Sequence, residues 1–199
     1  LIRKRTLRIS TGISMNAYYG DTEFQTNLGL SSRIPDNSDI VNKEIHKSLY
    51  QITFVLDLDA MSRDDNLGFV FPKEKSIRVA QQAMDIICNL YREIKGRTVS
   101  LRPLFIIGGV YKGANPIFSN NVILDTPKNN KVALSTEAIE SVKDMGFGDY
   151  KYWDDTMIGM DFGIFGNRDE FVEKFEDKVI TVPKFFNKVK EDIETAFSD

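Results

Sequence analysis

Side chains able to break or form bonds are scarce in this sequence. It carries one histidine, His46, and one cysteine, Cys88, so the pairings that activate a nucleophile have almost nothing to build on. Ser48 lies two residues from His46, but no nucleophile elbow surrounds either residue, and a strand histidine reads first as a structural group or a contact. Zinc spacings of the CxxC or HExxH kind are absent, as is a phosphate loop. No catalytic centre, metal or cofactor is expected.

Three partial motifs carry little. Asp57, Asp59, Asp64, Asp65 and Asn66 fail the spacing of a calcium loop and read as a strand entering an acidic turn. Asp161-Phe162-Gly163 has the kinase magnesium triplet without the other kinase motifs. Gly68-Phe69-Val70-Phe71 matches the end of an RNA-binding strand motif but lacks its basic start and runs into Pro72.

Residues suited to holding a ligand are plentiful. Arg3, Lys4, Arg5 and Arg8 fall in the first twenty residues, which contain no acid, although the whole chain is −3. Such a patch is either an electrostatic footprint for RNA or a solvated strand end. Ser14 and Asn16 add donors for phosphate and ribose. Farther on, Phe24 stands among Thr22, Gln25, Thr26 and Asn27. An aromatic ring among amides and hydroxyls can stack on a base while its neighbours bond edges or backbone; it can equally pin its own loop.

Two alternating runs must position these groups. From Leu7 to Tyr19 the odd positions are mostly apolar and the even ones mostly polar, which predicts one long strand with a buried face. Tyr50, Ile52, Phe54, Leu56 and Leu58 predict a second strand over 47–59, antiparallel to the first. Between them Gly20–Asn42 is polar and far longer than a hairpin turn needs, which marks a binding loop. A helix follows from Ser76 as N-cap through Ile77, Ala80, Met84, Ile87, Tyr91 and Ile94 to a stop at Gly96. Val99–Val110 then reads as a third strand. After Lys112 the chain turns loop-like, with a short helix at Thr136–Met145, a Gly- and aromatic-rich stretch over Gly146–Asn167, and two closing helices at Arg168–Val179 and Pro183–Phe197. The expected fold class is α+β, with residues 1–111 as one domain and 112–199 as a helical C-terminal extension.

With 199 residues and 42% hydrophobic content, the chain can bury one sizeable core. No run approaches the roughly 18 apolar residues of a membrane helix, and the single cysteine suits a reducing compartment, so a cytoplasmic location is expected.

The segments Arg3–Ser14 (RKRTLRISTGIS), Asn42–Ala60 (NKEIHKSLYQITFVLDLDA), Lys75–Tyr91 and Gly96–Gly109 together resemble the Cascade backbone subunit of type I CRISPR systems, in its DevR-like version. Glu44, Ile45, Tyr50, Leu56, Asp57, Leu58 and Asp59 supply the family's second strand pattern. The resemblance covers roughly residues 3–110. It implies a modified RNA-recognition-motif, ferredoxin-like palm, with Gly20–Asn42 as a thumb and Phe24 as its wedge. It also implies a subunit that polymerises without catalysis along CRISPR guide RNA. Its partners would be further copies, other Cascade subunits and, through the guide, a target DNA strand. Arg97 or Arg102 would lie near the RNA backbone. The family's first strand, first helix and finger region have no counterpart, and the chain opens on Leu1, so it reads as the C-terminal part of a longer subunit. Two other functions compete. One is a metal-dependent RNase using Asp21 or Asp36, by analogy with related backbone subunits that cut target RNA. The other is a ferredoxin-like protein-interaction module without nucleic acid.

Overall fold

Strict alternation from Leu7 predicts one unbroken strand, yet the chain there forms two short ones, Leu7–Ile9 and Ile13–Ser14. The computed structural model describes residues 5–18, 21–26, 40–64, 66, 68–94, 96–113 and 115–198. It is a mixed α+β chain divided into two compact units, one of Leu1–Ser10 with Thr53–Asp199 and one of Thr11–Ile52.

In the smaller unit, Ile13–Ser14 pairs antiparallel with Tyr50–Gln51. The polar segment read as a loop opens and closes as a two-stranded ribbon instead. Asp21–Thr26 runs antiparallel to Ile40–Ile45, with Phe24 opposite Asn42 and Thr26 opposite Ile40. Thr22, Phe24 and Thr26 supply the strand propensity that its polarity obscured. The expected buried face is a correction here: Ile13 and Ile52 are 65% and 52% exposed. Among the described residues, the paired strands there are two wide, which leaves these side chains without a covering layer.

The larger unit pairs Leu7–Ile9 antiparallel with Phe54–Leu56. The second long strand therefore stops at Leu56, because Asp57 accepts a hydrogen bond from the Ala60 N–H at 3.0 Å and so caps a helix, α1 (Leu58–Ser62). Four more helices follow: α2 (Lys73–Cys88), α3 (Thr136–Glu140), α4 (Arg168–Phe175) and α5 (Val182–Ala196). None of the described helices is long and apolar enough to cross a membrane.

Helix α2 differs from expectation at both ends. Pro72, not Ser76, is the N-cap; Ser76 is buried one turn in and heads a stripe that continues through Ala80 and Met84. The helix ends at Asn89, whose side-chain amide bonds the Asp85 carbonyl at 3.0 Å. Tyr91–Ile94 then leaves the helix to form a hairpin with Arg97–Ser100, and Gly96 serves its turn at φ +74° rather than stopping a helix. Tyr, Ile, Thr and Val favour this pleated arrangement, although Tyr91 and Ile94 also fit the helical period. Pro103 separates this hairpin from Phe105–Gly108, so the third long strand is also two.

Phe105–Gly108 lies antiparallel to Met157–Met160, which runs parallel to Val179–Ile180. Helix α5 packs on this sheet and on α2. Met61, Ala80, Met84 and Ile106 meet Val182, Phe185, Phe186, Val189 and Ile193 in one buried cluster. Gly159 permits the approach: a Cβ there would sit 2.7 Å from Ile106 and 2.9 Å from Phe185. Elsewhere the segment read as loop forms a hairpin, Leu124–Lys128 with Lys131–Leu134. The short helix and the Arg168 helix both end earlier than expected, the latter giving way to a tight turn over Glu176–Lys178.

Phe186 is 1% exposed. Phe186→Ala is expected to cost about 3–5 kcal/mol in urea unfolding, whereas exposed Asn187→Ala should stay within about 0.5 kcal/mol. Equal effects would contradict this packing.

Candidate nucleic-acid interface

The binding candidates divide between the two units. Arg3, Lys4, Asn27 and Asp36 lie outside the described residues. Arg5 is exposed, and Arg8 follows on the Leu7–Ile9 strand opposite Val55. The Arg8 guanidinium lies 3.8 Å from the Asp57 carboxylate, which also caps α1. With Arg8 more than half exposed, this pair contributes at most about 1 kcal/mol and leaves the cation open to exchange.

Arg97 and Arg102 are differently placed. Arg97 opens the second strand of the exposed hairpin opposite Ile94, and it has no partner among the described residues. Arg102 donates to the Asp161 carboxylate at 2.8 Å. That carboxylate also accepts the Gly163 N–H at 3.1 Å, so Asp161-Phe162-Gly163 is a local turn that anchors an arginine. The Arg102 bond, with help from Gly163 and against some burial, holds the Asp161 carboxyl below its ordinary range.

In the smaller unit, Ser14 and Asn16 are brought together around a third residue. The Ser14 and Ser48 hydroxyls are 2.7 Å apart, Ser14 donates to the Asn16 carbonyl at 2.9 Å, and Ser48 donates to Asn16 Oδ1 at 3.2 Å. Asp21, Thr22, Phe24, Gln25 and Thr26 share one strand, in register with Ile45, Glu44, Asn42, Val41 and Ile40.

Several residues were not read as binding candidates in the sequence. Ser48 completes the hydroxyl network, and His46, past the end of the Ile40–Ile45 strand, bonds the Tyr50 hydroxyl through Nδ1 at 2.8 Å. The even spacing of His46, Ser48 and Tyr50 was the available signal. Arg92, opposite Val99 in the hairpin, is a further exposed cation. Cys88 offers no activated thiolate, since burial, then the Asp85 charge, pushes its thiol up. The acidic stretch 57–66 is structural in its described parts: Asp57 caps a helix and Asp64 accepts the Asn66 N–H. Among the described residues, no group of three or more His, Cys, Asp or Glu is placed to hold a metal ion.

A family model described as CRISPR-associated negative auto-regulator DevR/Csa2 matches residues 1–132, two thirds of the chain. No curated protein matches.

Because the Asp161 carboxyl is depressed, its contribution to folding is complete above the ordinary carboxylate value and is lost as pH falls through the folded value. Carboxyl titration by NMR should place Asp161 below an ordinary aspartate, and Arg102→Ala should return it toward the ordinary value. A titration unmoved by Arg102→Ala would contradict the pairing.

Proposed function

The chain belongs to the CRISPR-associated DevR/Csa2 family of Cascade-type subunits, and on that premise we propose that it is a guide-RNA-binding backbone subunit that acts without cutting. The family match carries the reading, because it spans the basic first strand, the ribbon and the hairpin together. In this reading the larger unit holds the RNA-recognition palm, and Gly20–Asn42 is the thumb, with Phe24 its wedge. Further copies and other Cascade subunits extend the assembly along the guide, which pairs with the target strand. The working compartment is the cytoplasm.

Charge placement supports the proposal. Arg5 and Arg97 are exposed and have no carboxylate partner among the described residues, as suits cations offered to phosphate. Arg8 and Arg102, the more exposed members of their pairs, would exchange a partly buried carboxylate for a phosphate oxygen. Each such contact to single-stranded RNA steepens the salt dependence of binding by about 0.7 in the log–log slope.

The assembly purified with its natural partners should carry an ultraviolet nucleic-acid excess that nuclease does not remove. Arg97→Ala should lower the salt slope by about 0.7. A clean protein spectrum from the complete assembly would overturn the proposal. For the thumb, Phe24→Ala with Thr26→Ala should weaken guide protection while leaving the protein folded; footprints identical to those of the unaltered chain would remove that assignment.

A further inference from the structure

We propose that Tyr18, His46 and Tyr50 of the smaller unit form an aromatic corner that holds one unpaired RNA base, whose edge is met by Asn16. The inference rests on the RNA-binding reading above and adds a site to it. Two chain segments build the corner. Asn16 and Tyr18 lie two residues apart on one, and Ser48 and His46 two residues apart on the other. The segments are tied by a polar rung, Ser48 to Asn16 Oδ1 at 3.2 Å, and by an aromatic rung, Tyr18 to His46 with centroids 5.0 Å apart. Tyr50 extends the second rung. Its hydroxyl takes His46 Nδ1 at 2.8 Å, and its ring stands edge-on to the imidazole at 83°.

The geometry argues for a single base. Rings inclined at 53° and 83° make a bent wall, so a base lying flat on one ring meets the next at an angle, and a continuous stack has no room to propagate. Tyr18 and Tyr50 remain 59% and 50% exposed, which leaves ring surface uncovered by the chain itself. Polar atoms are left over as well. His46 Nε2 and the Asn16 side-chain N–H group have no partner among the described residues, while His46 Nδ1 and Asn16 Oδ1 are committed to holding the corner together. Ring faces and free polar atoms match a nucleobase, which offers a π face and edge donors and acceptors.

The test uses the complete assembly and guide RNA sparsely substituted with 4-thiouridine. Ultraviolet crosslinks are expected on peptides containing Tyr18, His46 or Tyr50. Tyr18→Leu with Tyr50→Leu should weaken RNA binding by about 5- to 150-fold, the range of one lost base stack, whereas Tyr18→Phe, which keeps both rings and the Tyr50 hydroxyl, should retain binding. If the leucine pair does not fold, the crosslink map and the single Tyr18→Leu variant decide. Unchanged affinity without crosslinks at these residues, in an assembly that still binds RNA, overturns the corner and leaves the RNA-binding reading standing. An unaltered assembly free of RNA overturns both. Leucine variants that bind RNA normally but lose self-association assign the surface to a second copy and also overturn the corner.

Discussion

The seating of helix α5 against α2 and the Met157–Met160 strand is the contact on which the larger unit depends. Five of the nine residues in its central buried cluster come from α5, and Phe54, Leu56 and Leu58 lean on the same cluster from the first strand pair and α1. Full burial of each large apolar side chain contributes about 1.5–3 kcal/mol, so no other described element supplies a comparable share. The polar fringe, Lys190 to Asp85 at 2.8 Å and Gln81 to Glu194 at 2.7 Å, fixes the register of the two helices more than it adds stability. The cluster also reaches beyond the family match. Helix α2 lies inside residues 1–132 and α5 outside them, so the shared part of the fold is completed by residues that follow it.

The same division of labour applies to charge. Carboxylates of the larger unit fix some arginines in place, as Asp161 fixes Arg102 and Asp57 approaches Arg8, while Arg5 and Arg97 carry no such restraint among the described residues. A restrained guanidinium loses little further freedom when a phosphate takes over its hydrogen bonds, whereas an unrestrained one adds attraction at longer range. An overall acidic protein can thus present a locally basic surface.

How much was legible in the sequence depends on what each signal measures. Alternation identified the antiparallel pairings of the first two runs, and helical spacing located α2, α4 and α5, because these patterns record which side chains face a neighbour. Boundaries escaped because local chemistry overrode the pattern: Asp57 captured a helix N-terminus, Asn89 closed α2, and Pro103 split a strand. Tyr91 and Ile94 satisfied two periods at once, and only the turn at Gly96 decided between them. Of the candidate site, Ser14 and Asn16 were read from type and from their place on the polar face of the first run. Their partner Ser48 becomes visible only when residues more than thirty positions apart are brought together, whereas the His46–Tyr50 pair spans four positions and was signalled by spacing alone.

Asn167 shows how narrowly one side chain can be specified. Buried to 3% exposure, it accepts from the Leu134 N–H at 3.3 Å and donates to the Leu134 carbonyl at 2.7 Å, filling the place of an adjacent strand with a single amide. Its two ends must therefore differ in polarity. Hydrolysis of that amide to a carboxylate would set oxygen against oxygen at the shorter of the two contacts, in a place that water does not reach. Chemical ageing of the protein is thus coupled to its architecture at this position, and the packing that excludes solvent from Asn167 also protects the join between the Lys131–Leu134 strand and α4.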